Sequence, residues 1–316
     1  MSVKESLLKI LEESGENELS GQELADRIGV SRTAIWKAMK NLSEDGFEIE
    51  GVSKRGYRLI KHGDSLSEES IRAQLTENLK KNKIILLKSV NSTNTLAKKL
   101  AADGEENGTI IIAEEQTAGR GRRGNSFFSP MKTGLYMSII LRSEAFPLDT
   151  DMFTICAGCA VCKAIEGLSD KKPRIKWVND IFLNGKKICG ILSEATTDIE
   201  SGNIDSIVIG IGINLTTRDF PDDITETAGA LGESTPRGRM AARVINELYD
   251  CLNKSREENI LYYKSKSLVL GKEVNFFTNG SVRQGKAVDI DPSGQLVVLT
   301  ENGTEKLNSG EISIRL

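Results

Sequence analysis

Histidine is almost missing from this chain. Its 316 residues contain one, His62, in the polar stretch 62–70, His-Gly-Asp-Ser-Leu-Ser-Glu-Glu-Ser. A Ser-His-Asp triad or a multi-histidine metal site is therefore not expected. Cysteines are few and odd in number, five in all, and sit in apolar surroundings. Such usage fits a reduced intracellular protein better than a disulfide framework. No apolar run approaches the length of a bilayer span. The opening Met-Ser-Val-Lys-Glu carries no apolar signal core. The expectation is a cytoplasmic chain with no membrane partner. The formal net charge is −3, so the total does not point to nucleic acid. The length suggests two or three domains around a sizeable core.

What the chain does have is Gly-Arg-Gly-Arg-Arg-Gly at 119–124. Glycine permits positive φ and close backbone approach. Arginine presents a rigid fork of donors that matches carboxylate and phosphate. The loop reads as an anion clamp or as a basic surface turn. Its spacing is formally the dinucleotide fingerprint, and Glu144 lies about twenty residues on. The following Asn125-Ser126-Phe127-Phe128-Ser129-Pro130 cannot open the long helix that the fingerprint needs. A kinase glycine loop fails for want of companion motifs.

The first sixty residues read as helices and a hairpin. Leu7, Leu8, Ile10 and Leu11 mark one helix; Ser20 and Glu23 open a second that ends at Gly29. Ser31 caps a third, Arg32 to about Leu42, with Ile35, Ala38, Met39 and Leu42 on its apolar face. The other face carries Arg32, Thr33, Trp36, Lys37 and Lys40. Residues 46–50 and 54–59 form a hairpin whose tip includes Lys54 and Arg55. Residues 1–30 hold 3 basic and 7 acidic side chains, residues 31–61 hold 7 and 4. A basic second helix followed by a basic hairpin predicts a winged helix-turn-helix that binds DNA. A protein-binding helical domain is the alternative, and Trp36 either reads DNA or packs under the hairpin. Residues 62–70 read as a linker.

Strands and helices then alternate irregularly, which favours a mixed α+β sheet over a doubly wound one. Strands are expected at Lys83–Val90, Thr109–Glu114, Gly134–Leu141, Ile175–Val178, Lys187–Ser193 and Ser206–Ile213. Helices are expected after Asn94 to about Ala102, over 152–167, and through Met240, Val244 and Leu248. Cys156, Cys159 and Cys162 mimic an iron–sulfur run, but their small apolar neighbours indicate buried thiols on a packed helix. Residues 216–236 read as a mobile loop. From about Gly271, short strands separated by turns suggest a small β-barrel.

The chain resembles the biotin protein ligases that double as biotin operon repressors. The resemblance runs in order through the winged N-terminus, Ser92-Thr93-Asn94, Gln116-Thr117-Ala118 with the glycine–arginine loop, Lys176-Trp177-Val178-Asn179-Asp180, Lys187-Ile188-Cys189-Gly190-Ile191-Leu192, Gly210-Ile211-Gly212-Ile213-Asn214, and Gly310 to Arg315. Lipoate ligases share the central fold but are not expected to have this loop or head. The resemblance implies an α+β protein in three parts. These are a winged helix-turn-helix (1–62), a class II synthetase-like ligase domain on a mixed sheet (63–268), and an SH3-like barrel (269–316).

It also implies a reaction. Biotin and ATP, with Mg²⁺, give biotinyl-5′-AMP, and a lysine of a biotin carboxyl carrier protein then takes the biotin. Ser92, Thr93, Asn94 and Gln116, with the backbone of Gly119, Arg120 and Gly121, would bind biotin. Arg120 and Arg122 would hold carboxylate and phosphate and retain the adenylate. Lys187 would bridge both anions. Gly190 would let the biotin tail lie on its strand. Phe127, Asn179 and Asn214 would serve the nucleotide, and Asp180 the magnesium. Phe127 stands where the family often has tryptophan, and Val178 where it often has proline. Operator DNA and a second copy of the chain are the further partners implied. A biotin-sensing regulator without ligase activity, and a ligase whose head no longer represses, are the alternatives.

Overall fold

The structure is a computed structural model that describes residues 2–15, 17–44, 47–52, 56–61, 66–142, 149–197, 204–232, 235–278 and 281–308. They fall into two compact units, 1–81 with 234–243 and 82–233 with 244–316.

In the first unit, α1 (Val3–Ser14), α2 (Gly21–Ile28) and α3 (Arg32–Glu44) precede β1 (Glu48–Val52) and β2 (Gly56–Lys61). Local chemistry sets the helix ends. Ser2 and Glu5 form a reciprocal capping box, the Ser20 hydroxyl accepts the Glu23 N–H, and Gly29 closes α2 in the left-handed region. Leu7, Leu8, Leu11, Leu24, Ile35, Met39 and Leu42 meet in one core. Leu19 adds a bridge to Tyr57, exchanging both backbone hydrogen bonds. Gly56 permits that approach, since a Cβ there would stand 2.3 Å from the Leu19 carbonyl. Trp36 is 62% exposed, so it does not pack under the hairpin. The hairpin tip with Lys54 and Arg55 lies outside the described residues, as does His62.

The linker reading of 62–70 needs correction over its second half. There α4 (Glu68–Arg72) begins, capped by Ser67, and Leu66, Ser70 and Ile71 are buried. Polar composition concealed a helix anchored by two apolar residues.

The second unit is built on a seven-stranded sheet. Its strands are β3 (Ile84–Leu87), β4 (Ile110–Ala113), β5 (Gly134–Arg142), β6 (Arg174–Lys176), β7 (Asp180–Leu183), β8 (Lys186–Thr197) and β9 (Ile204–Asn214), in spatial order β3-β4-β5-β9-β8-β7-β6. Among the described strands of this sheet, only the β3–β4 pair is parallel. Alternation along the strands gives the sheet two different faces. Ile140 and Val208 meet Ala97 and Ala101 of α5 (Thr93–Ala102). The opposite face carries Ile191 and Ser193 toward α6 (Thr150–Leu168), where Thr154 donates to the Ser193 hydroxyl.

Helix α7 (Arg237–Asn253) buries Met240, Val244, Ile245 and Leu248. Helix α8 (Arg256–Lys266), absent from the sequence-based expectation, starts at a Ser255–Glu258 capping box. Strands β10 (Glu273–Thr278), β11 (Ser281–Ile290), β12 (Leu296–Thr300) and β13 (Gly303–Leu307) form an antiparallel meander. The terminal Gly310–Arg315 segment lies outside the described residues.

Cys156, Cys159 and Cys162 are buried along α6, and Cys189 and Cys251 are buried as well. Burial pushes the Cys156 thiol up to about 12 and the Cys159, Cys162 and Cys189 thiols upward too. Such thiols are inert while the fold stands. Among the described residues no three His, Cys, Asp or Glu side chains cluster as a metal site. We expect a disulfide reagent at mildly alkaline pH to find no fast-reacting thiol in the native protein and all five after denaturation. A fast native stoichiometry of one or more would refute this burial.

Candidate functional site

The residues singled out from sequence converge because β9, β8 and β7 are neighbours. Gly190 and Gly212 pair directly across β8 and β9, and Leu192 pairs with Gly210. All four face the α5 side. The three glycines hollow out that face. A Cβ at Gly210 would stand 2.1 Å from Asn94 Oδ1, and one at Gly212 would stand 2.5 Å from Phe127 Cε1. The result is a cavity of about 360 Å³. Its lining includes Ser92, Thr93, Asn94, Gln116, Arg120, Gly121, Arg122, Phe127, Asn179, Asp180, Lys187 and Gly190.

The glycine–arginine loop folds back over this floor as a tight hairpin. The Gly121 N–H donates to the Asn125 carbonyl at 2.7 Å, and the Phe127 N–H to the Gly119 carbonyl at 2.9 Å. A 3-10 turn, Arg122–Gly124, forms the tip, with Arg123 and Gly124 at φ 56° and 77°. Gly119 is required by the loop itself, since a Cβ would meet the Phe127 carbonyl at 2.3 Å. Gly119 is buried beside the cavity wall, and is not part of its lining.

Each of two arginines ties the loop to the sheet. Arg122 Nη1 donates to Asn179 Oδ1 at 3.3 Å, while Asn179 Nδ2 donates to the Ile191 carbonyl. Arg120 Nη1 lies 3.3 Å from Glu194 Oε1. Burial, then the charge of Arg123, lowers the Arg122 pKa, and Asp180 opposes the shift. Burial also lowers that of Lys176, again against Asp180. Lys187 Nζ stands 2.7 Å from Asp180 Oδ1, off the hydrogen-bonding direction, so that this buried oxygen has an ion pair but no hydrogen-bond donor. Behind them, Trp177 Nε1 donates to the Gly294 carbonyl and the Tyr263 hydroxyl to the Val178 carbonyl. These two bonds fix the segment that carries Asn179 and Asp180.

At the other end a polar chain surrounds the start of α5. Ser92 caps the helix. The Thr93 N–H and hydroxyl both donate to Gln116 Oε1, and Gln116 Nε2 donates to the Ser129 hydroxyl. Ser138, fully buried on β5, donates to Asn94 Oδ1 at 2.6 Å. Asn94 Nδ2 in turn donates to Glu194 and to the Leu192 carbonyl. Sequence reasoning missed Ser138 and Glu194. Strand alternation was the available signal: it puts Ser138 on the face of Tyr136 and Ile140, and Glu194 on the face of Gly190.

Two expected residues are placed differently. Phe127 rests its ring on Gly190 and Gly212, the surface expected to take a ligand tail, with its edge toward Tyr136. Asn214 ends β9 outside the cavity lining and donates to the Gly229 carbonyl, leaving its buried Oδ1 unpartnered. The described part of the 216–236 segment, residues 216–232, makes backbone hydrogen bonds to the ends of β8 and β9. Lys187 N–H donates to Thr227, Gly229 N–H to Lys187, and Leu231 N–H to Asn214.

In the first unit, Arg32, Thr33, Trp36, Lys37 and Lys40 share the exposed face of α3. A groove of about 430 Å³ opens beside Arg32, Thr33, Trp36 and Tyr57.

Comparison with known proteins gives three family matches. Residues 86–214 match the biotin/lipoate A/B protein ligase family, 3–58 an HTH domain, and 269–315 the biotin protein ligase C-terminal domain. The chain is 34% identical over 323 residues to the bifunctional ligase/repressor BirA of Bacillus spizizenii, covering 99% of each. It is 31% identical over 305 residues to that of Escherichia coli, covering 94% of this chain and 92% of the other. A biotin protein ligase from Aquifex aeolicus, solved in complex with biotin and ATP, superposes with a TM-score of 0.66 at 31% identity, over 74% of this chain and 98% of that one.

Ser138 donates into the interior of the polar chain, so Ser138→Ala strands a buried acceptor. We expect a loss of roughly 1–3 kcal/mol, measured as a lower urea midpoint at constant slope. An unchanged midpoint would mean that Asn94 Oδ1 has another donor.

Proposed function

The chain belongs to the biotin protein ligase family, in the branch that joins a ligase to a helix-turn-helix repressor domain, and from that premise we propose how its residues divide the work. A biotin carboxylate oxygen attacks the α-phosphorus of ATP. The bond to that phosphorus forms as the one to pyrophosphate breaks, leaving biotinyl-5′-AMP. A lysine amine of the biotin carboxyl carrier protein then attacks the anhydride carbonyl. It loses a proton as AMP departs, and an amide remains. The carboxylate is already a nucleophile, so the barrier lies in anion repulsion and placement.

One observation carries this reading: Arg122 and Lys187, from loop and strand, line the same glycine-floored cavity as the polar chain around α5. Lys187 would bridge carboxylate and α-phosphate, with Arg120 and Arg122 completing the clamp. Ser92, Thr93, Asn94 and Gln116, with Gly119 and Gly121 shaping the loop, would hold the ureido ring. Gly190 would carry the biotin tail and Phe127 flank the nucleotide. These two roles are compatible once the ring leaves Gly190. Asn179 and Asn214 would serve the nucleotide. Among the described residues lining the cavity, Asp180 is the one carboxylate, and its buried Oδ1 lacks a donor. That suits Mg²⁺, which takes one or two carboxylates and otherwise phosphate and water oxygens; bound there, it would neutralise phosphate charge.

The same reading assigns residues 1–62 to operator DNA, 63–268 to ligation and 269–316 to a barrel-like cap. Arg32, Thr33, Trp36, Lys37 and Lys40, with Lys54 and Arg55 of the wing tip, would meet the duplex. A homodimer would match a two-fold operator, with the adenylate as corepressor. Among the described residues no helix is long and apolar enough to cross a membrane.

Pyrophosphate exchange into ATP should depend on biotin, and Lys187→Ala should slow it roughly 10²–10³-fold. A pure sample with no exchange would remove the ligase assignment. Lys37→Ala should weaken operator binding evenly across sequences and lower the salt-dependence slope by about 1. A salt slope unchanged in gel-shift titrations would take Lys37 off the phosphate backbone.

A further inference from the structure

Glu194 has no role in the scheme above, yet the cavity's polar chain ends on it. It sits on β8, four residues beyond Gly190 and on the same face of the sheet. Its side chain is 17% exposed. Oε1 lies 2.7 Å from Lys98 Nζ and 3.3 Å from Arg120 Nη1, and Oε2 accepts from Asn94 Nδ2 at 3.0 Å. Burial works against its charge. The hydrogen bonds from Lys98 and Asn94, with the charges of Lys98 and Arg120, outweigh burial and hold the carboxyl below its ordinary range.

The three partners are not equivalent. Lys98 and Asn94 both belong to α5, a fixed helix packed on the sheet. Arg120 belongs to the loop, and its side chain is 45% exposed. A guanidinium offers five N–H donors in one plane. Engaging Nη1 orients that plane and leaves other donors available to an anion in the cavity that Arg120 lines. An unanchored arginine would have to be ordered by the ligand, which draws on binding energy.

We propose that Glu194 is the positioning residue for Arg120. It holds the guanidinium at the cavity rim before any ligand arrives, and so sets how tightly the site takes the biotin carboxylate. This rests on the cavity being the biotin site. Glu194 touches no reacting atom; it acts through the arginine.

The test uses the full chain and biotin-dependent pyrophosphate exchange, with thermal unfolding as the check on folding. Glu194→Gln removes the charge and keeps an acceptor for Asn94. We expect it to raise the biotin KM about fivefold, the loss of a partly exposed ion pair, with kcat within about twofold. Glu194→Asp should recover part of the affinity. Lys98→Met, which removes the carboxylate's other cation, should leave the biotin KM near wild type. Adding Glu194→Gln to Arg120→Ala should make the KM no worse than Arg120→Ala alone, since one residue acts through the other. A wild-type KM in Glu194→Gln, or effects that multiply in the double variant, would overturn the proposal. A wild-type protein with no biotin-dependent exchange would overturn the ligase reading, and this inference with it.

Discussion

The architecture of the site depends on three missing side chains. Gly190, Gly210 and Gly212 lie together on one face of adjacent strands; a Cβ at Gly210 or Gly212 would collide with a neighbour, and one at Gly190 would press on the Phe127 ring. Their absence lets Asn94 reach across the sheet to the Leu192 carbonyl and Glu194. It lets Phe127 lie flat on the floor and the loop close above. A sheet of ordinary residues would be filled on this face by its own side chains, as it is on the α6 side, where Ile191, Ile209 and Ile211 are buried. The close approach is therefore paid for in backbone entropy by the glycines rather than by strain elsewhere.

Upon this hollow the protein pairs several of the charges beside it. Arg120 faces Glu194, Lys98 faces Glu194, and Lys187 faces Asp180. Arg122 leans on the Asn179 amide. The cations are thus oriented in advance, and bringing in an anion requires little rearrangement of them. Fixed dipoles and charges are most effective when they need not reorganise. The half-buried setting also strengthens each interaction relative to water.

Much of this was legible in the residues. Caps at Ser20 and Ser31 bounded two helices, because a side-chain oxygen meeting an orphan N–H is local chemistry. The apolar strands and the mixed sheet followed from hydrophobic pattern. The glycine–arginine loop stood out by composition, and its residues line the cavity. What stayed hidden depends on contacts distant in sequence. The Leu19–Tyr57 bridge joins residues 38 apart, and β7 has only four residues. Helix α4 is a single buried turn in a polar stretch. Gly119 is also required by the loop itself, because a Cβ there would meet the Phe127 carbonyl, a contact eight residues on. Glu194 carries no local signal, since nothing nearby in sequence reveals that Asn94 and Lys98 arrive from a helix a hundred residues earlier.

The attachment of the 216–232 segment to Lys187 has a further consequence. Both backbone groups of Lys187 are engaged, its N–H by Thr227 and its carbonyl by Gly229, and neither bond involves a side chain. Such a seam asks little of most side chains, with Gly229 the exception, since a Cβ there would stand 2.7 Å from the Cβ of Lys186. Residues 222–227 contribute no side chain to either bond. Selection on this segment then falls on what its side chains present to ligand or solvent, so affinity and regulation can diverge between lineages without unsettling the lysine.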